Sequence, residues 1–160
     1  MQMQTIAVIA PGDMGSGVGQ ALVQAGHDVV TCLAGRSEAS RARAERCGFR
    51  DLANLDQVVG QATLILSILP PAAAIDLAND VAAAIGRTDA RPVYMDCNAI
   101  SPANGSKIAA IMTGAGAPCI DAGIIGLAPG KGPQPTRFYI SGPDLGPAGA
   151  LAVPGIRVKG

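Results

Sequence analysis

The stretch Thr5-Ile-Ala-Val-Ile-Ala-Pro-Gly-Asp-Met-Gly15, followed by Ser16-Gly-Val-Gly-Gln-Ala-Leu-Val-Gln-Ala25, decides the fold. Residues 5–10 are apolar after the threonine and rich in β-branched side chains, the pattern of a strand buried on both faces. Residues 13–25 place Gly15, Val18, Leu22 and Ala25 along one helical face, and Gly26 ends the helix. Residues 28–33 predict a second strand. Outward from there the alternation repeats. A helix is expected over 37–47, with Ser37 as N-cap and Gly48 as its stop, and a short helix over 54–61. Residues 63–69 read as a central strand, 71–85 as a helix entered through proline and stopped by Gly86, and 92–96 as a strand. Ser101 and Pro102 open a helix to about Thr113. Strands at 119–122 and 137–141 follow, and Ile156 to Gly160 could hold a last short one. Alternating strands and helices imply an α/β doubly wound, mostly parallel sheet covered on both faces, in one domain over residues 1–160. From about residue 123 glycine and proline become dense, so this closing segment reads as loops with short strands.

The first strand runs into Pro11-Gly12-Asp13-Met14-Gly15 and a helix follows, the setting of a dinucleotide fingerprint. Glycine is needed there because a diphosphate must approach the backbone closely. The free N–H groups and the dipole of the helix add positive potential. Gly12 admits the diphosphate and Gly15 lets helix and strand pack closely. Ala10 stands where the fingerprint has its first glycine. At the end of the second strand an NAD site carries an acid that holds the ribose hydroxyls. Here the run is Ala34-Gly35-Arg36-Ser37, a guanidinium and a hydroxyl suited to a 2′-phosphate. NADP is therefore the expected cofactor. NAD stays open if a small shift of register brings Glu38 to the ribose instead.

Composition closes off other classes. The chain has 160 residues, 49% of them apolar, enough for a sizeable core. Twelve basic and twelve acidic residues cancel, which gives no electrostatic case for nucleic acid or an anionic membrane. No apolar run is long enough to span a bilayer. Cys32, Cys47, Cys97 and Cys119 form no Cys-x-x-Cys pair and His27 is the single histidine, so no metal site is expected and a reducing, cytoplasmic setting is. There is no P-loop string, and neither Tyr94 nor Tyr139 has a lysine four residues on.

Gly12-Asp13-Met14-Gly15, Leu22, Gly26-His27-Asp28-Val29 and Arg36-Ser37 together resemble the β-hydroxyacid dehydrogenase family and its 6-phosphogluconate-dehydrogenase-like relatives, which open with GLGxMG and then NLxxxGHxVxxxNR. The resemblance continues in Leu69-Pro70-Pro71, in Asp96-Cys97-Asn98-Ala99-Ile100-Ser101-Pro102 and in Asp121-Ala122-Gly123-Ile124, and covers most of residues 5–127. It implies the N-terminal cofactor-binding domain of an oxidoreductase acting on a small hydroxy acid or a related carbonyl compound or imine. It also implies that a helical second domain, absent from this chain, would complete the substrate site. In that reading Gly12, Asp13, Met14 and Gly15 line the diphosphate and nicotinamide side. Arg36 and Ser37 hold the 2′-phosphate, Leu69 and Pro70 cover the cofactor, and Asn98 lies near the nicotinamide ribose. The family's substrate motif reads DAPVSGG, whereas this chain has Ile125 at the serine and Leu127 at one glycine. The family's catalytic lysine belongs to a motif that would begin near residue 160; neither Lys131 nor Lys159 stands in that context, so no catalytic residue is assigned.

Two other readings compete with that one. A non-catalytic nucleotide-binding module fits the altered substrate loop, and an imine-reductase-like fragment fits its apolar character. Exposure of Ile124, Ile125 and Leu127 would invite self-association into a homo-oligomer. His27, Cys97 and Asp96 are expected to be structural. Arg41, Arg43, Arg46 and Arg50 read as a solvated face that can add positive potential near a 2′-phosphate.

Overall fold

A computed structural model describes residues 2–9 and 11–160, so the expectation attached to Ala10 lies outside the described residues. The elements run β1 (Thr5–Ile9), α1 (Asp13–Gln24), β2 (Asp28–Thr31), α2 (Glu38–Cys47), β3 (Arg50–Asp51), α3 (Leu55–Gln61) and β4 (Leu64–Ser67). A 3-10 turn at Pro71–Ala73 leads into α4 (Ala74–Thr88), then β5 (Val93–Asp96), α5 (Pro102–Ala115), β6 (Cys119–Ile125) and β7 (Thr136–Ser141). A second 3-10 segment, Gly146–Leu151, precedes β8 (Ile156–Lys159). One sheet holds all eight strands in the order β3-β2-β1-β4-β5-β6-β7-β8. The strands from β3 to β6 are mutually parallel; β7 runs antiparallel to β6, and β8 parallel to β7.

The alternation of the strand side chains divides the core into two layers. Ile6 and Val8 face α1 with Val18, Leu22, Leu66, Met95 and Phe138, whereas Ala7 and Ile9 face the other side with Ile65, Val81, Ile85 and Tyr94. Helix α1 can lie close to the sheet because its inner face is small. A Cβ on Gly19 would overlap the ring of Phe49, which is itself buried. Gly19→Ala should therefore cost about 1–3 kcal/mol by overpacking, read as a lower urea midpoint with an unchanged slope. The control Gly60→Ala in α3, where a Cβ meets nothing within 4 Å, should be neutral or slightly stabilising.

Four local expectations need correction. Gly86 does not stop α4, which runs on to Thr88 and ends at Asp89 in the left-handed region with φ 55°. A helical glycine costs only about 1 kcal/mol, and burial of Val81, Ala84 and Ile85 holds the turn that contains it. Pro71 opens a 3-10 turn before α4 instead of the helix itself. The strand expected at 119–122 extends to Ile125 because β7 pairs with it as far as Ile125 opposite Arg137. Cover on both faces also fails at one end: beyond α5, side chains of β6 to β8 such as Asp121, Ile125, Tyr139 and Arg157 stand exposed. Two further elements give no sequence signal. β3 is two exposed polar residues, and the 3-10 segment at 146–151 lies in the glycine- and proline-rich region yet buries Ala148, Ala150 and Leu151.

Candidate nucleotide-binding site

Strand β1 leaves the sheet between β2 and β4. The chain winds outward through β2 and β3 and then returns to the other side of β1 as β4. That reversal opens a crevice above the C-terminal ends of β1 and β4, where doubly wound sheets bind their ligands. Gly12 is the N-cap of α1, in extended conformation at φ −80° and ψ −163°, and no side chain caps the helix. The first intrahelical bond comes from the Ser16 N–H to the Gly12 carbonyl at 2.8 Å. The preceding N–H groups of the first turn therefore meet no capping side chain, and an anion is their natural acceptor. The Ser16 hydroxyl (3.3 Å) and the Arg43 guanidinium (3.1 Å) donate to the Pro11 carbonyl, which fixes the turn and brings a cation beside it. Gly15 is buried and Met14 packs on the core.

Asp13, at the first helical position, is exposed and pairs with Lys131 at 3.2 Å. Lys131 arrives on the loop between β6 and β7. That loop folds back over α1 because Gly17 has no side chain; a Cβ there would lie 2.8 Å from the Ala128 Cβ. Neither Arg43 nor Lys131 was singled out beside the diphosphate turn from sequence. The arginine-rich run of α2 carried a weak signal for the first, and nothing local signalled the second.

Arg36 follows a turn at Gly35 (φ 76°), in which the Arg36 N–H donates to the Leu33 carbonyl at 2.9 Å. With Ile9, Leu69, Ala73 and Leu77 it lines a slot of about 190 Å³, faced from α4 by Asp76 and Asp80. The structure thus brings Arg36 and Leu69 together at the end of β1. Ser37 caps α2: its hydroxyl accepts the Ser40 N–H at 3.2 Å. Glu38 is the first residue of that helix and is exposed. Pro70 leads the 3-10 turn that closes the slot.

Asn98, which the family resemblance places near the nicotinamide ribose, turns its side chain into the fold, where it is almost wholly buried. Its carbonyl oxygen accepts the Leu69 N–H at 2.8 Å, and its amide donates to Ser67 Oγ at 2.9 Å and Asp96 Oδ1 at 2.8 Å. It is therefore placed to set the slot's Leu69 wall. A wider cavity of about 540 Å³ opens beside it, between residues 98–102 and Asp121, Ala122 and Gly123. Burial pushes the Asp96 carboxyl above the ordinary carboxylate range, against the two hydrogen bonds from Asn98. Burial likewise raises Cys97, and raises Cys119 to about 11 with help from Asp96 and Asp121, so neither is a ready thiolate at neutral pH. All four cysteines are free. His27 is buried at the start of β2, far along the strand from the crevice, and its Nδ1 accepts the Gln4 N–H at 3.1 Å. Among the described residues no cluster of three metal-ligating side chains occurs, and no helix is long and apolar enough to cross a membrane.

A strand order that reverses at β1 above a glycine turn with an uncapped helix defines a doubly wound domain of the Rossmann type. The sequence matches the Rossmann-like domain family over residues 2–124, and the chain belongs to that family. No curated protein matches it. Among solved structures it is similar to a conserved protein of unknown function that resembles 3-hydroxyacid dehydrogenases, with 25% identity and a TM-score of 0.81 over 98% of this chain and 57% of that one. It is also similar in fold to Mycobacterium tuberculosis 3-hydroxyisobutyrate dehydrogenase, with 23% identity and a TM-score of 0.78 over 98% of this chain and 54% of the enzyme. A reductive aminase from Aspergillus terreus, solved with NADPH and ethyl levulinate, shares the fold at 17% identity and a TM-score of 0.76, over 99% of this chain and 55% of the enzyme. The chain spans little more than half the length of these structures.

Proposed function

We propose that this domain binds NADP(H) and serves an oxidoreductase acting on a small hydroxy acid or a related carbonyl compound. The observation that carries the reading is the uncapped start of α1 at Gly12, set beside a slot that Arg36 and Leu69 share. Backbone N–H groups of residues 12–15 would take the diphosphate. Ile9, Leu69 and Leu77 would hold the adenosine, and the guanidinium of Arg36, with Ser37 beside it, would take the 2′-phosphate. The nicotinamide supplies the hydride chemistry when bound; these residues bind and orient it. NAD is the alternative cofactor. The fold shared with the dehydrogenase and the aminase supports the oxidoreductase class, and the family resemblance of residues 5–127 supports the hydroxy-acid or carbonyl substrate.

The test follows NADPH and NADH by their own emission, because the chain contains no tryptophan to excite. NADPH should bind more tightly. Arg36→Ala should weaken NADPH roughly tenfold, the worth of about 1.4 kcal/mol, and leave NADH nearly unchanged. Equal losses for both cofactors would place the 2′-phosphate elsewhere.

A further inference from the structure

We propose that the cavity between α5 and strands β6 and β7 binds a small organic ammonium group, held by Asp96, Asp121 and the Ser141 hydroxyl. Strand register sets up the site. Ser67 pairs with Asp96, Asp96 with Asp121, and Asp121 with Ser141, so four polar side chains form one row across β4, β5, β6 and β7. All four point to the α5 side, the face shared by Ile65 and Tyr94 two residues earlier on their strands. Neighbouring strands lie about 4.8 Å apart, which puts two carboxylates side by side.

Asp96 is 2% exposed. Its Oδ1 receives both donors of Asn98, whereas its Oδ2 is buried without any partner. Buried polar atoms are nearly always paired, so such an orphan marks a missing donor. Asp96, Asp121 and Ser141 line a cavity of about 220 Å³ whose other walls include Ile108, Ala109 and Pro143, and no lysine or arginine lines it. Two carboxylates and one hydroxyl fall short of the roughly six to eight oxygens that calcium takes, and the apolar walls give little hold to the several waters that magnesium keeps. An alkylammonium carries three N–H donors and no acceptor, which matches this set. The apolar walls suit its carbon chain, and the exposed Asp121 gives it a way in. Burial and the neighbouring Asp121 both raise the Asp96 carboxyl, a strain that a bound cation would relieve.

The site lies under α5, away from the Arg36 slot, and does not depend on the dinucleotide reading. The test titrates the isotope-labelled chain with n-butylammonium chloride, using 1-butanol and sodium chloride as controls, and reads the backbone amides. Saturable shifts are expected at Gly105, Ala109 and Gly142, with affinity falling about tenfold or more in Asp121→Asn and in Asp96→Asn. Asp121 is exposed, so its variant reports on binding even if Asp96→Asn were to disturb the fold. Equal shifts from butanol or from sodium ions, no saturable shift at these amides, or undiminished affinity in Asp121→Asn would overturn the proposal. NADPH affinity measured on the same samples is expected to be unchanged by Asp121→Asn, so failure of one reading leaves the other standing.

Discussion

Replacing Gly12 by valine should abolish useful NADPH binding, weakening it by roughly a hundredfold or more, the equivalent of about 2.7 kcal/mol. The backbone at Gly12 sits at φ −80° and ψ −163°, at the edge of the extended region and far from the positive φ that would demand glycine. The fold should therefore survive, losing only the fraction of a kcal/mol to about 1 kcal/mol that a poor N-cap residue costs. What the branched side chain removes is space: it stands between the first N–H groups of α1 and the diphosphate they would receive. Affinity should fall together for NADPH and NADH, because both carry the diphosphate. That separates the change from Arg36→Ala, which should affect NADPH alone. Unchanged NADPH affinity in a folded Gly12→Val variant would remove the α1 terminus from the site.

Phe138→Ala should cost about 3–5 kcal/mol, a large share of the 5–15 kcal/mol that holds a typical domain together. Phe138 is completely buried in β7, opposite Ile124 of β6 and Val158 of β8. It belongs to one cluster with Ile6 and Met95 of the parallel sheet and with Ala148, Leu151 and Val153 of the closing segment. Removing the ring should lower the urea midpoint of the whole protein in a single transition. Tyr139→Ala, one residue on and on the open face, should change stability by less than about 1 kcal/mol. If the two variants cost the same, or if Phe138→Ala produced a separate early transition, residues 136–159 would be an appendage and not part of the core.

The contrast between those two tyrosine and phenylalanine neighbours shows where sequence reading runs out. The parallel core was legible because Ile6 to Ile9 and Leu64 to Leu66 are short apolar runs rich in branched side chains, set between helical stretches, as strands of a sheet covered on both sides are. The helix ends at Gly26, Gly48 and Thr88 differ in kind. The first two glycines take positive φ and stop their helices, while Gly86 does not and Asp89 takes over. Composition alone cannot distinguish them, because the outcome depends on what the helix buries. The closing segment was obscured by its glycine and proline content, although Thr136, Phe138 and Ile140 alternate as an inward-facing strand should. At the candidate site, the glycine turn at the start of α1 and the position of Arg36 after β2 were legible from spacing within one βαβ unit. The inward turn of Asn98, the return of Lys131 to Asp13 and the row from Ser67 to Ser141 all join residues distant in sequence, or depend on pairings that only the folded sheet defines.

The most direct measurement is a crystal structure of this chain grown with NADPH. The diphosphate should lie within hydrogen-bond distance of backbone N–H groups at residues 12–15. The 2′-phosphate should lie on the Arg36 guanidinium, with the adenosine between Leu69 and Leu77. A dinucleotide bound elsewhere, or bound here with Arg36 turned to solvent and the α1 terminus touching only water, would contradict the account.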